Sequence, residues 1–265
     1  MQTFGYFASL LIGISLGMIG GGGSILTVPV LVYLFSVNPV LSTSYSLFVV
    51  GSTSFVGAVN NYFKGFVKIR TAILFGTSSI TTVYLTRKFL ISHIPENFGN
   101  IGGFEITQSL VIMVLFAILM VAASLSMIKG RKDDAVTKVT NTKNSYVKLL
   151  MYGVAIGLVT GLLGAGGGFL IIPTLVLLVK LPMKEAIGTS LLIIALNSLI
   201  GFIGDIGHFA FDWAFLFKIT LIAVAGIIIG GAISKKIHGD KLKKGFGWFV
   251  LIMGIYIIIH ETLIK

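Results

Sequence analysis

The sequence predicts an all-α polytopic membrane protein made of two inverted repeats, each a glycine-broken helical hairpin plus about three transmembrane helices. Three observations predict it. First, of 265 residues 55% are hydrophobic and 11% charged, and mean hydropathy is +1.01. A soluble domain carries about 25% charged residues, so lipid must be the solvent for much of this surface. Second, apolar runs close to spanning length recur along the whole chain. Third, two runs are too short to span, and each follows directly on a glycine cluster.

In chain order the apolar runs are Thr3–Met18, Ile25–Phe35, Leu41–Val59, Ile69–Leu85, Ile106–Ile128, Val147–Leu163, Phe169–Val179, Ala186–Gly204, Trp213–Ile233 and Phe246–Ile259. The short ones are Ile25–Phe35 and Phe169–Val179. A shift of 144 lays one on the other without a gap: Gly13 falls on Gly157, Gly17 on Gly161, Gly20 on Gly164, Gly22 on Gly166, Gly23 on Gly167 and Pro29 on Pro173. Further on, Ser46 meets Ser190, Ser54 meets Ser198 and Gly57 meets Gly201. Chance explains matching leucines in membrane sequences, but not this set of glycines with a proline. The chain reads as one transmembrane domain of two repeats, 1–130 and 146–265, joined by a polar linker, 131–145.

The formal charge of +11 sits in short connections rather than on a folded basic face. This pattern orients membrane segments and argues against nucleic-acid binding. Lys129–Lys148 and Lys235–Lys244 are therefore expected on the cytoplasmic side. An even number of crossings must lie between them, which makes Leu149–Val179 a helical hairpin, re-entrant or of two short spans. In the first half the Arg87–Glu105 loop then lies outside and the Asn60–Lys68 turn inside. The repeat mate of that turn, Asp205–Asp212, falls outside, so the repeats are expected to be inverted, with both termini outside. The first residues lack a basic n-region, and no cleaved signal peptide is expected.

The interrupted motifs are Gly20-Gly21-Gly22-Gly23-Ser24 and Gly164-Ala165-Gly166-Gly167-Gly168. Each glycine costs a helix about 1 kcal/mol relative to alanine, so neither cluster holds a helix. Unwound backbone in a bilayer must be satisfied by protein or by water in a cavity, which places both tips inside the protein. The helix that restarts after each tip presents amides without intrahelical partners, and two such ends make an anion site without a basic side chain. Pro29 and Pro173 also fit the first turn of a helix. Close packing is the plain alternative for one cluster; two clusters at matching positions favour a substrate site.

Among polar positions Asn197 is the strongest candidate, because an amide in mid-span is costly without a partner. Ser46 and Ser190 come next, although hydroxyls often just bond back to their own helix. Asp205 and His208, at the outer end of a span, are candidates for a coupling proton or cation, with a solvated loop as the plain reading. No catalytic constellation and no cofactor or metal site is expected: the chain has no cysteine, and His93, His208, His238 and His260 lack ligand spacing.

The paired motifs Gly20–Pro29 and Gly164–Pro173, with the polar helices through Ser46 and Thr189-Ser190, resemble the TauE/SafE family of sulfite exporter-like permeases. The resemblance covers essentially the whole chain. It implies movement of a small sulfur oxyanion, sulfite or an organosulfonate, across a prokaryotic inner membrane by a secondary transporter or facilitator. The lack of cysteine separates the chain from related thiosulfate importers. The expected partners are the anion, membrane lipid and a coupling proton or cation, with room for a homodimer. The alternative class is a membrane sensor or scaffold that binds without transporting.

Overall fold

A computed structural model describes residues 2–91, 93–95, 97–101, 104–128, 142–177, 179–234 and 239–264. The described residues are nearly all helical. Helix α1 (Gln2–Ile19) stops at the first glycine cluster; a 3-10 turn (Gly22–Leu26) then leads into the short α2 (Thr27–Phe35). The long α3 (Pro39–Phe63) is followed by α4 (Ile69–Leu85), which a π-helical turn extends over Thr86–Ile91. A small antiparallel hairpin, β1 (Asn97–Ile101) and β2 (Phe104–Thr107), precedes α5 (Gln108–Ile128). The second half repeats the order: α6 (Thr142–Leu163), the short α7 (Gly168–Leu177), α8 (Met183–Asp205), α9 (Trp213–Ile233) and α10 (Gly239–Ile259).

The shift read from the sequence reappears in the elements. Helices α3 and α8 begin at residues 39 and 183, and α4 and α9 at 69 and 213. Local chemistry sets two of these starts. Pro39 opens α3 behind Asn38, whose Oδ1 accepts from the Val40 amide at 2.9 Å, and Asp212 caps α9 by accepting from the Phe215 amide at 3.0 Å.

Packing follows the same exchange. Helix α1 lies on α9 and α6 on α4; α3 lies on α8, and α5 on α10. Swapping the halves turns each contact into another of the set. In detail, Gly13 packs on the main chain of Ala223 and Gly157 on that of Ser79, and one shift carries both residues of the first pair onto the second. The directions are informative too. Gly51 meets Leu199, Gly57 meets Leu191 and Gly201 meets Leu47, so α3 and α8 run antiparallel. By the same test α1 runs parallel to α9, and α6 parallel to α4. Among the described residues four helical segments are long and apolar enough to cross a membrane: α3, α8, α9 and Gln108–Leu125 of α5. In α3 and α8 67% of the spanning window is buried, against 39% in α5 and α9, so α3 and α8 form the central pair.

One expectation changes, and two fall partly outside the described residues. The Arg87–Glu105 segment is not a plain loop, because α4 continues through Arg87 and the β-hairpin begins at Asn97. Of the linker 131–145, residues 131–141 lie outside the described residues, and α6 already starts at Thr142. Residues 235–238 of the second basic connection also lie outside, and α10 begins at Gly239. Lysine is a good helix former, so these helices run past the ends of their apolar stretches.

The glycine contacts are testable. A methyl on Gly13 collides with the Ala223 main chain and one on Gly157 comes within 2.6 Å of the Ser79 carbonyl oxygen, whereas one on Gly245 meets nothing within 4 Å. Gly13→Ala and Gly157→Ala should each destabilise by about 1–3 kcal/mol or more. Gly245→Ala should be neutral or stabilise by up to about 1 kcal/mol. Thermal unfolding of the purified variants in detergent checks the ranking.

Candidate functional site

Both helix breaks are built the same way at their start. The Gly20 amide closes α1 on the Leu16 carbonyl at 2.9 Å, and the Gly164 amide closes α6 on the Thr160 carbonyl at 2.9 Å. Gly20 has φ +84° and Gly164 φ +67°, the left-handed geometry that ends a helix cheaply only at glycine. The two breaks then diverge. In the first, a 3-10 turn from Gly22 carries the chain into α2, and Ser24 Oγ donates to the Gly21 carbonyl at 2.8 Å. Its helix therefore does not restart with a run of bare amides directly behind the glycines. In the second, Gly166 and Gly167 also have positive φ, and α7 starts at once at Gly168, with the Leu170 and Ile171 amides both bonded to the Gly167 carbonyl. Pro29 lies in the first turn of α2, and Pro173 lies inside α7.

The two breaks meet. The main chain of Gly21 packs directly on that of Gly168, so closely that a methyl on either would collide with the other. Gly20–Ser24 and Gly164–Phe169 are buried throughout. Unwound backbone is thus kept from lipid, and the contact joins the two halves at their interrupted segments.

Polar side chains stand against the second break. A methyl on Gly166 would come 3.1 Å from Ser198 Oγ, and one on Gly167 would collide with Thr160 Oγ1. Both hydroxyls are buried without a hydrogen-bond partner, as are those of Thr53 and Ser54 on α3. Ser54 and Ser198 are repeat mates, as are Thr53 and Asn197. Buried polar atoms are nearly always paired, so these atoms on α3, α6 and α8 are exceptions to the usual pairing.

The expected site residues separate into groups. Gly20, Gly21, Gly22, Gly23 and Ser24 come together with Gly164, Ala165, Gly166, Gly167 and Gly168. Ser46 reaches them, donating to the Gly164 carbonyl at 2.7 Å. Its mate Ser190 does not: it bonds back to the Ile187 carbonyl at 2.9 Å. Asn197 is buried, and its Nδ2 donates to Ser79 Oγ at 2.6 Å, while Oδ1 has no partner. A hydroxyl both donates and accepts, so either end of this amide can be the one left over.

Asp205 is not in a solvated loop. It is the last residue of α8, fully buried, and its Oδ2 accepts from Ser44 Oγ at 2.6 Å and from Arg87 Nη1 at 3.1 Å. His208 is exposed, and its amide is bonded to the Asp205 carbonyl at 3.1 Å. Arg87 is the residue that the sequence hides. It sits at the edge of an apolar run and reads as the first charge of a loop. The only signal was a constant offset between α4 and α8, visible once the helices are paired: Ser79 meets Asn197, Val83 meets Gly201, and Arg87 meets Asp205. Among the described residues no group of three or more acidic, histidine or cysteine side chains could hold a metal.

Removing the Ser46 hydroxyl leaves the buried Gly164 carbonyl without its side-chain donor. Ser46→Ala should therefore cost about 1–3 kcal/mol, whereas Ser190→Ala should cost less, because its hydroxyl only returns to its own helix. Paired thermal melts of the two variants decide it; equal losses would contradict the asymmetry.

The sequence model of the family described as "Sulfite exporter TauE/SafE" matches residues 6–257. Similar curated proteins carry the name probable membrane transporter protein. One from Xylella fastidiosa (strain 9a5c) is 29% identical, over 94% of this chain and 91% of its own length. One from Methanocaldococcus jannaschii is 26% identical over 94% and 92%, and YdhB of Bacillus subtilis is 24% identical over 94% and 96%. No solved structure matches.

Proposed function

This chain belongs to the TauE/SafE family of membrane transporters, and we propose that it moves a small oxyanion, sulfite or an organosulfonate, as a secondary transporter or facilitator. The observation that carries the reading is the meeting of two glycine breaks, from equivalent places in the two halves, with the buried unpartnered hydroxyls of Thr160 and Ser198 against the second break. Main-chain amides and hydroxyls are the groups that bind an oxyanion by short hydrogen bonds without the cost of a free cation in the membrane. The substrate site comprises Gly20–Ser24 and Gly164–Gly168, with Asn197 and Ser198 beside them; Ser46 holds the second break in place. Ser190 belongs to the supporting helix rather than to the anion.

In this reading the repeats are inverted, and the antiparallel course of the equivalent helices α3 and α8 supports that. Two halves of opposite sense that touch through their broken helices can expose the contact to one side and then the other. The location is a prokaryotic inner membrane, with the two basic connections on the cytoplasmic side. The coupling proton or cation is assigned to Asp205, whose Oδ1 accepts no hydrogen bond, with exposed His208 at the turn beyond it. The chain acts as a carrier rather than an enzyme.

Liposomes containing the purified protein test this. Entry of sulfite or ethanesulfonate should exceed that of empty vesicles and fall at least tenfold with Gly22→Leu or Gly166→Leu, both of which should still insert. Saturable binding of either anion without flux would replace transport by a sensor or scaffold. Flux indifferent to both substitutions would remove the glycine site.

A further inference from the structure

The pair at the ends of α4 and α8 is built unlike a simple buried salt bridge. The side chains of Arg87 and Asp205 are 0% and 1% exposed. A guanidinium and a carboxylate taken out of water together usually close into a fork of two parallel bonds. Here one nitrogen does all the bonding: Arg87 Nη1 donates to Asp205 Oδ2 at 3.1 Å and to Thr43 Oγ1 at 3.0 Å. Nε and Nη2 of Arg87 are buried without a partner, and so is Oδ1 of Asp205. The Nε–Nη2 edge is the side of a guanidinium that takes two oxygens of one anion at once. A fully desolvated arginine has left that edge open.

Arg87 is one residue removed from the glycine site. The main chain of Thr43, whose hydroxyl Arg87 holds, packs on Gly164 where α6 breaks, and the neighbouring Thr86 packs on Gly161. Gly204, one residue before Asp205, brings α8 close to Arg87: a methyl there would stand 3.1 Å from Arg87 Cβ.

We propose that Arg87 is an oxyanion-binding residue at which the transported anion and Asp205 exchange. The inference rests on the oxyanion-carrier reading above and adds a charged step to it. With Asp205 on the guanidinium the pair is neutral, which lets it stay buried. An incoming sulfite or sulfonate takes the Nε–Nη2 edge with two of its oxygens. Asp205, at the end of α8 beside the exposed turn Ile206–His208, gives up Nη1 and turns toward that turn, so at least one negative charge faces the guanidinium throughout, a single one when the anion is hydrogen sulfite or a sulfonate. The anion then passes by way of Thr43 to the amides and hydroxyls at the glycine contact.

A purely structural pair would behave differently, and binding separates the two. Titrations of sulfite and of ethanesulfonate into the full-length protein in nanodiscs would use wild type, Arg87→Lys, Asp205→Asn and the neutral double variant R87Q/D205N. Removing one partner of a buried pair threatens folding, so the double variant, which strands no charge, is the folded control, checked by its melting temperature. Exchange predicts that the double variant melts near wild type yet binds at least tenfold more weakly. Arg87→Lys, which keeps the charge and loses the fork, should weaken at least tenfold as well. Asp205→Asn should bind tighter than wild type, because the competing carboxylate is gone. A folded double variant that binds like wild type would overturn the proposal and leave the carrier reading intact. Wild-type protein that binds neither anion would remove both.

Discussion

Everything in this fold turns on the contact between Gly21 and Gly168. A chain that breaks its helices inside a bilayer exposes backbone groups that lipid cannot satisfy. Here each break is covered by the other. The contact needs glycine on both sides, because any side chain would hold the main chains apart. It also needs the flanking helices to arrive at the right height. The stripes of glycine on α1 and α6, packed on α9 and α4, supply that closeness. Small residues in the spanning helices and glycines at the tips thus serve one requirement at two scales.

The halves are alike in backbone and unlike in charge. The shift that lays repeat one on repeat two carries Arg87 onto Gly231 and Asp205 onto Asn61. At the Asp205 end of α8 the halves are held by a buried ion pair with Ser44 and Thr43 around it. At the other end Asn61 bonds back to the Gly57 carbonyl at 2.8 Å, and Lys68 meets Glu185 at 3.1 Å with side chains 46% and 24% exposed. An exposed pair contributes little and parts easily, while a buried one resists the loss of either partner. Two matching backbones therefore carry a buried ion pair at one end and a partly exposed one at the other. The duplication does not extend to the charges.

Much of this was legible in the sequence, and what was not has a physical cause. The short segments behind glycine clusters announced broken helices, because glycine runs and missing length both contradict a span. The burial of the tips followed from the chemistry of lipid. Side-chain roles did not follow from the repeat: Ser46 and Ser190 are mates, yet one holds the opposite hairpin and the other its own helix. Repeat matching fixes backbone position, whereas a hydroxyl's partner depends on a rotamer and a neighbour a few ångströms away. Arg87, and the burial of Asp205, which the sequence offered only as a coupling candidate in a solvated turn, escaped for a different reason. A charge at the edge of an apolar run looks like the start of a loop, and its neutralising partner lies in the other repeat.

The division between backbone and side chain also bears on selectivity. In the oxyanion-carrier reading proposed above, amides at the glycine contact would recognise negative charge and short bonds to oxygen, but could not tell one oxyanion from another of similar size. Only proline deletes such an amide; any other larger residue fills the space. In that reading discrimination comes from nearby side chains, where Thr53 and Ser54 of α3 are the repeat mates of Asn197 and Ser198 of α8. At one of these positions a hydroxyl is exchanged for an amide, and at the other the hydroxyl is kept. The polar set is thus asymmetric although the backbone beneath it is duplicated. A tetrahedral or pyramidal anion with one substituent unlike its oxygens is the kind of solute that such an asymmetric set could orient.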